Sequence, residues 1–311
     1  MSVWIVSLPD RLDVFLSKDG RMISRAKAQE AIEAGLVTVN EQIITKPAER
    51  LQEGDRIELT ADVPRSQTPI TAVDLHLSIL YEDDACIVIH KPPSFAVHPG
   101  AGMEDDEQTI LHGIAFLFEE RGIPFAADSV LVHRLDRETT GCLLIAKSPE
   151  AHRALQKQFE NRTIEKQYLA LVAGLPSPPA AVIDAPIGRA TFERTKMSIL
   201  SVNQAREAKT TYRTLGSSKN TALLLCDLHT GRTHQLRVHL HAIGHPILGD
   251  PTYTSTLSER LTEEFDIRIL CLHAWKLAFD SLEDGKRKMI AAPLPVEFEE
   301  VLKKVGIAVS K

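Results

Sequence analysis

The segment that most constrains the fold is a charged, hydroxyl-rich stretch that leads directly into an apolar one. Residues 132–141 have the sequence V-H-R-L-D-R-E-T-T-G, and residues 142–146 have the uncharged sequence C-L-L-I-A. Five apolar residues in a row are typical of a buried strand, and the polar stretch before them is typical of a loop. Reactive groups often lie on loops that rigid strands hold in place. Asp136 is therefore a candidate reactive group, although a solvated surface turn would carry the same residues.

Length and composition limit the classes of protein to consider. The chain has 311 residues, enough for two domains. Its four cysteines are scattered without a C-x-x-C pair, which argues against a disulfide framework or zinc–thiolate site and fits a reducing cytoplasm. No apolar run approaches membrane-spanning length, so no membrane partner is expected. The net charge of −6 predicts modest non-specific affinity for nucleic acid, so any such binding would need local basic clusters.

Residues 11–60 are predicted to form a small unit with two helices and short strands. Residues 12–16 carry apolar side chains at helical spacing, Ser24 can cap a second helix, and Gly35 can end it. Residues 37–45 have the pattern of a β-hairpin. We assign residues 1–62 to this unit.

This unit resembles the S-four-like RNA-binding module of ribosomal proteins and RNA-modifying enzymes. In that module the second helix faces RNA, and the corresponding stretch here carries Arg21, Arg25 and Lys27. A solvated helix face would carry the same basic residues. The resemblance implies that these three side chains contact phosphate groups.

The rest of the chain is predicted to be a linker followed by a larger domain. Residues 63–78 contain Pro64 and Pro69 and show no clear period, which indicates a linker. The larger domain is assigned to residues 79–311. Residues 175–220 within it receive no prediction beyond short strands and loops.

Four motifs in the larger domain resemble those of the RluA-type pseudouridine synthases. The family pattern H-R-L-D-x-x-T-S-G is matched at residues 133–141 with Thr140 in place of serine, and K-P-x-G-x-x-x-H-P is matched with Ser94 in place of glycine. The sequences K-Q-Y-L-A-L-V-A-G and T-G-R-T-H-Q-L-R-V-H-L match two further motifs at residues 166–174 and 230–240. The resemblance spans essentially the whole chain. It implies an α+β protein, with a mixed, mostly antiparallel sheet, flanking helices and a central RNA-binding cleft after the N-terminal module.

The resemblance also implies the chemistry. Pseudouridine formation breaks the bond between uracil N1 and ribose C1′, turns the base and rejoins it through C5, so it needs no cofactor. Asp136 matches the catalytic aspartate and would act as a nucleophile at C1′ or as a base at C2′. Arg232 matches the arginine that pairs with this aspartate and favours its ionised form. Tyr168 would offer uracil a flat face and help to remove the C5 proton, although an ordinary buried tyrosine would look the same.

Further residues of these motifs are implied contacts of the RNA. Arg134 matches the position that fills the gap left by a flipped nucleotide. His234, Gln235 and Arg237 are expected to contact RNA or support the site. Histidines also cluster from residue 229 to residue 245, but their spacing lacks H-E-x-x-H and companion carboxylates, so no metal is expected.

The predicted function is thus that of an isomerase acting on structured RNA. An S-four-like module accompanies family members that modify large-subunit ribosomal RNA, so this substrate is favoured, and transfer RNA stays open. Alternatives are a non-catalytic RNA-binding protein for assembly and a phosphotransferase that uses Asp136. A cytoplasmic monomer is expected.

Overall fold

The structure divides into two compact units. A computed structural model describes residues 2–18, 21, 25–60, 70–100, 103–104, 107–191, 193, 196–200 and 202–308. The units are Met1–Pro69 and Ile70–Lys311. Each has its own buried apolar core.

The first unit contains short strands and two helices. Its elements are β1 (Ser2–Ile5), β2 (Asp10–Arg11), α1 (Leu12–Ser17), α2 (Arg25–Glu33), β3 (Val37–Val39), β4 (Gln42–Ile43), β5 (Arg50–Leu51) and β6 (Arg56–Leu59). The sheet order is β1-β6-β3-β4, and β2 pairs with β5. Leu12 and Leu16 of α1 and Ile32 of α2 are fully buried in the core, as helical spacing predicts. Ser24, the expected cap of the second helix, lies outside the described residues.

A buried carboxylate joins the two helices. Asp13 of α1 accepts hydrogen bonds from Arg11, Arg25 and Gln29 at 2.9–3.0 Å. Burial opposes the charge of Asp13, but these three donors outweigh it and hold its pKa well below the usual value. Arg25, predicted to contact RNA, is therefore tied to the helix pair while about half of its side chain stays exposed.

The second unit is built on one large sheet with helices on its faces. Its elements are β7 (Ser78–Glu82), β8 (Cys86–Lys91), α3 (Ile110–Glu120), β9 (Thr140–Ala146), α4 (Pro149–Glu160), β10 (Glu165–Ala173), β11 (Ala180–Asp184), β12 (Ile187–Ala190), β13 (Met197–Ser198), β14 (Val202–Arg206), β15 (Lys209–Ser218), β16 (Thr221–Leu228), α5 (Gln235–Ala242), α6 (Thr256–Glu264), β17 (Leu272–Asp280), β18 (Arg287–Ala291) and α7 (Val296–Lys304). This arrangement is the α+β fold that the sequence predicted.

The large sheet is mixed but mostly antiparallel. Among the described residues its order is β11-β15-β16-β10-β17-β9-β8-β7, with β18 paired to β17. Only the β9–β17 pair is parallel in this part of the chain. Because β9 and β10 flank β17, the loop before β9 lies close to the side chains of β10. Residues 175–220 form β11 to β15, and β12 to β14 make a separate small sheet in the order β13-β12-β14.

Strand β9 is buried on both faces, as its unbroken apolar run predicted. All seven of its residues are buried. Leu143 and Ile145 belong to the core on the α3 side, whereas Leu144 packs with Leu155 of α4 on the other side. Successive side chains of a strand point to opposite faces, so a sheet covered on both sides needs apolar residues at every position.

The second unit begins before the predicted domain boundary. The linker was expected at residues 63–78, but residues 70–78 belong to the second unit. Leu77 is buried, and Ile70 and Leu75 pack against the same core. Prolines and a missing period indicated an irregular segment, but they could not show that its leucines are covered.

Gly141 should be essential for the parallel pair of β9 and β17. Its φ is +115°, and a Cβ there would lie 2.2 Å from the backbone oxygen of Ala274. We expect Gly141→Ala to lower the free energy of unfolding of the second unit by about 3 kcal/mol or more, since close packing and backbone strain add. Urea unfolding followed by Trp275 fluorescence in a Trp4→Phe background measures this.

Gly122→Ala is the matched control for that substitution. Gly122 also has a positive φ, +63°, but a Cβ there would meet no atom within 4 Å. Its substitution should cost only about 1 kcal/mol from the backbone. Equal losses for the two variants would show that the contact with Ala274 contributes nothing.

Candidate active site

A buried lysine holds the loop that carries Asp136. The Lys91 ammonium is fully buried at the end of β8 and donates to the backbone oxygens of Pro92, Arg137 and Thr139 at 2.7–3.1 Å. Lysine has three N–H donors, and all three are used here. Burial lowers the pKa of Lys91 to about 7, against the charges of Glu138 and Asp136. The sequence motif included Lys91, but no role was predicted for it.

A histidine ties the other end of this loop to the sheet. His133 Nε2 accepts a hydrogen bond from the backbone N–H of Leu144 at 2.9 Å, and its ring lies 4.9 Å from that of Phe159. Burial, reinforced by the charge of Lys166, lowers the pKa of His133 to about 3. The ring is therefore neutral and carries its hydrogen on Nδ1. Asp136 lies between two fixed points of the chain.

The Asp136 carboxylate faces a buried arginine. Arg237 Nη1 lies 3.4 Å from Asp136 Oδ2. Its Nε and Nη2 donate to the two oxygens of buried Asp250 at 2.7 and 2.8 Å. Burial opposes the charge of Arg237, but the two carboxylates outweigh it and raise the pKa of Arg237. A bidentate pair fixes the plane of a guanidinium, so the third nitrogen is aimed at Asp136.

The arginine that faces Asp136 is Arg237 and not Arg232, which the sequence predicted. Arg232 was expected in this role, but its Nε donates to the backbone oxygen of Glu207 at 2.9 Å. The chain turns at His234, whose φ is +54°, before α5 begins. This turn places Arg232 before the helix and Arg237 within it. The sequence could not distinguish the two arginines because they belong to one motif.

Gln235 and Arg237 lie in the interior, 3% and 7% exposed. Of the two roles expected for them, contact with RNA or support of the site, their burial favours support of the site. Gln235 Oε1 accepts from Thr230 Oγ1 and Arg232 N at 2.7 and 3.0 Å. Its Nε2 donates to Lys209 O and Thr210 Oγ1 at 3.0 and 3.1 Å. The amide thereby uses its donors and acceptors on the loop before α5. Its function here is to hold that loop.

His234 lies beside Asp136 and is oriented by a tyrosine. Its Nε2 is 4.0 Å from Asp136 Oδ1, and its Nδ1 is 3.0 Å from the Tyr253 hydroxyl. That hydroxyl also accepts a hydrogen bond from Met197 N at 3.0 Å, and its own O–H is free to donate to Nδ1, the arrangement that leaves a hydrogen on Nε2 facing Asp136. Burial lowers the pKa of His234 despite the charge of Asp136. Sequence reasoning gave Tyr253 no role.

Tyr168 projects from β10 into the same space. Its side chain is 7% exposed, and its hydroxyl has no hydrogen-bond partner in the described part of the chain. Burial, with the charge of Asp136, raises the pKa of Tyr168 well above its ordinary value. The hydroxyl therefore stays protonated, and the small exposed part of the side chain lies on the cavity lining.

A cavity of about 460 Å³ is lined by Asp136, Tyr168, His234 and Arg237, and its charge is opposite to that of the chain. Its charged lining residues are the cations Arg134, Arg162, Lys166, Arg232 and Arg237 and the carboxylates Asp136 and Glu160. Five cations against two carboxylates favour an anionic ligand, because a cleft focuses the field of its charges. The local basic cluster that an acidic chain needs for binding nucleic acid is thus present.

The remaining predicted contacts of RNA are Arg134 at the cavity and three basic residues of the first unit. Arg134 is on the cavity lining, with its Nη1 3.2 Å from His98 Nε2. Arg21, in the first unit, donates to the backbone oxygen of Phe15 and lies 4.1 Å from the centre of that ring. The side chain of Lys27 lies outside the described residues.

The described ranges contain neither a cluster of metal-binding side chains nor a membrane-spanning helix. There, no three His, Cys, Asp or Glu side chains are grouped so that they could hold a metal ion. None of the described helices is long and apolar enough to cross a membrane.

Comparison with known families agrees with this geometry. The model of the RNA pseudouridylate synthase family matches residues 85–242, and that of the S4 domain matches residues 10–57. The first match contains Tyr168, His234 and all the charged residues of the cavity lining, and the second contains α1 and α2.

Similar proteins extend over nearly the whole chain. Ribosomal large subunit pseudouridine synthase D of Nitrosomonas europaea is 37% identical, over 95% of this chain and 84% of the relative. The protein of the same name from Vibrio cholerae is 36% identical, over 94% of this chain and 90% of the relative. Human RNA pseudouridylate synthase domain containing 4 has a similar structure, with a TM-score of 0.61 and 28% identity over 75% of this chain and 95% of that one.

The family match covers half of the chain and includes the loop of Asp136, the strand of Tyr168 and the helix of Arg237. The relatives extend the similarity to both units. The chain belongs to the RNA pseudouridylate synthase family and is an isomerase that acts on RNA.

Proposed function

We propose that this protein converts uridine to pseudouridine in large-subunit ribosomal RNA. The observation that carries the proposal is the Asp136 carboxylate, held 3.4 Å from Arg237 in a cationic cavity that Tyr168 also lines. The relatives named ribosomal large subunit pseudouridine synthase D favour this RNA as the substrate. Transfer RNA, with the same chemistry, is the second candidate.

In this proposal Asp136 is the group that attacks the nucleoside. It acts on ribose C1′ as a nucleophile or on C2′ as a base, and both routes need a carboxylate that is ionised and in place. Arg237 supplies the opposing charge, and Lys91 and His133 hold the backbone on either side. A carboxylate fixed in advance needs no reorganisation when the uridine arrives.

The other cavity residues act on the base and the RNA strand. Uracil stacks on Tyr168, whose protonated hydroxyl lies near the base. His234 directs an N–H toward Asp136 and orients it. Arg134, at the cavity lining, fills the space that the target nucleotide leaves in the RNA when it flips out. No step adds or removes electrons, so the reaction needs no cofactor.

The two units have separate roles in this proposal. The first unit, residues 1–62 as the sequence delimits it, binds RNA, with Arg21, Arg25 and Lys27 as candidate phosphate contacts. The region from residue 79 to residue 311 carries the chemistry. Because Asp136, Tyr168 and Arg237 all come from one chain, the proposal needs only a monomer. A cytoplasmic location follows from the ribosomal substrate and agrees with four buried, unpaired cysteines.

Tritium release from C5 of uridine tests the reaction and the substrate together. The native protein should release tritium from protein-free large-subunit RNA and not from transfer RNA or small-subunit RNA. Asp136→Asn should reduce release by about 10⁴-fold or more, the scale for loss of a nucleophile or base. Release from transfer RNA alone would overturn the ribosomal assignment. Binding of RNA by the native protein without release from any RNA would favour a non-catalytic binding protein.

Substitutions of Arg237 and Arg232 test which of these two arginines supports Asp136 in the reaction. Arg237→Lys keeps a positive charge but loses the bidentate pair with Asp250, so the single-turnover rate at saturating RNA should fall by roughly 10²-fold. Arg232→Gln should act on RNA affinity instead, because Arg232 does not contact Asp136. Thermal unfolding of each variant controls for loss of structure. A native rate for Arg237→Lys together with a collapsed rate for Arg232→Gln would restore the pairing that the sequence predicted.

A further inference from the structure

Three cations of the cavity lining form a cluster: Arg162, Lys166 and Arg232. Lys166 is on β10 two residues before Tyr168, and both side chains line the cavity. A Cβ placed on Gly231 would lie 3.9 Å from Lys166 Nζ, so the ammonium is next to the turn that carries Arg232. Lys166 has no ion pair in the described part of the chain, and its Nζ lies 5.7 Å from the centre of the Phe159 ring.

The only carboxylate in contact with this cluster, among the described residues, comes from Glu207. Its oxygens accept two hydrogen bonds from Arg162, at 3.0 and 2.6 Å. The Arg162 and Glu207 side chains are both about half exposed. The backbone oxygen of Glu207 also holds Arg232 Nε at 2.9 Å. Glu207 thus keeps two cavity arginines in position while its carboxylate remains open to solvent.

We propose that Arg162, Lys166 and Arg232 form a binding site for one phosphodiester of the RNA backbone, and that the Glu207 carboxylate occupies its place in the free protein. The inference rests on the proposed function, since it assigns a subsite next to the uridine that reacts. A phosphodiester is a monoanion with two free oxygens and accepts the same two parallel hydrogen bonds from a guanidinium as a carboxylate does.

The position of Lys166 relates this phosphate to the target uridine. Residues i and i+2 of a strand project from the same face about 6.6 Å apart. A uracil stacked on Tyr168 therefore places its neighbouring phosphate within reach of Lys166. Exposed Arg–Glu pairs are weak, so a phosphate can displace Glu207 from Arg162 at little cost.

The replacement of the Glu207 carboxylate by a backbone phosphate makes the cavity selective among anions. Glu207 repels an anion that does not reach Arg162 and Lys166 together, whereas a backbone phosphate next to a flipped uridine engages both. The bound phosphate also compensates the charge of Lys166, which lies beside Arg162 and Arg232 and has no ion pair among the described residues. The free protein keeps the arginines extended toward the ligand position instead of leaving them disordered.

Oligouridylate is the probe that tests the exchange, in an Asp136→Asn background that prevents turnover. Glu207→Gln should lower the dissociation constant about two- to fivefold at low salt, since Arg162 is released for phosphate. Arg162→Gln and Lys166→Gln should raise it and reduce the slope of log K against log salt by about one. In an Arg162→Gln background the gain from Glu207→Gln should disappear.

Glu150→Gln is the matched control. Glu150 forms an exposed pair with Arg153 on α4, outside the cavity, so this variant removes the same charge without touching the cluster. A gain from Glu207→Gln no larger than that from Glu150→Gln, or one that persists without Arg162, would overturn the proposal. Because the probe has no ribosomal sequence, a failure of the ribosomal assignment would leave this binding result intact.

The affinity for oligouridylate should also depend on pH through Lys166. Burial, followed by the charges of Arg232 and Arg162, lowers the pKa of Lys166 to about 8. The ammonium is charged below that pH and loses its charge as pH rises through it, so affinity should fall about fivefold between pH 7 and pH 9. Lys166→Arg stays charged and should show a much smaller fall. The charged groups beside Lys166 are Arg162 and Arg232, and burial keeps the nearby His133 ring neutral in this range because it lowers its pKa to about 3. Identical profiles for the two proteins would contradict the role of Lys166.

Discussion

A buried guanidinium shared by two carboxylates is the interaction on which the active site depends. Arg237 is held by Asp250, which is completely buried and accepts two backbone N–H groups as well. Only the remaining nitrogen faces Asp136. Removing Arg237 would therefore leave the buried carboxylate of Asp250 without an opposite charge, a severe penalty in a protein interior. Arg237 thus stabilises the turn at Asp250 and also supplies the positive charge opposite Asp136.

The charge of the whole chain and that of the cavity have opposite signs, and each has a physical consequence. A net charge of −6 keeps general affinity for RNA low. Five cations in a concave space with two carboxylates raise the potential where the reaction takes place. Specific RNA can therefore bind productively while other RNA binds weakly. Glu207, which neutralises Arg162 in the free protein, fits this balance because it lowers the attraction for anions that do not reach the cavity.

The sequence predicted the structure correctly where a local pattern is enough to determine it. The apolar run at residues 142–146 requires a covered strand, and the motif match identified Asp136 and Tyr168 as candidate residues. The sequence did not predict which way a side chain points once the chain has folded. Arg232 and Arg237 are five positions apart in one motif, and a left-handed residue at His234 determines which of them faces Asp136. The burial of Gln235 and the three contacts of Lys91 depend on distant segments, so no local pattern reveals them.

The rigidity of the catalytic loop determines which partner must move. Lys91, His133 and Arg237 hold the chain and the carboxylate around Asp136 from three directions. Tyr168 belongs to a central strand that is paired on both sides. Such a site cannot extend toward a base stacked in RNA, so the uridine has to leave its stack and enter the cavity. The side chains free to adjust are those on the exposed rim, where Arg134 and Arg162 can follow the RNA backbone without disturbing the carboxylate.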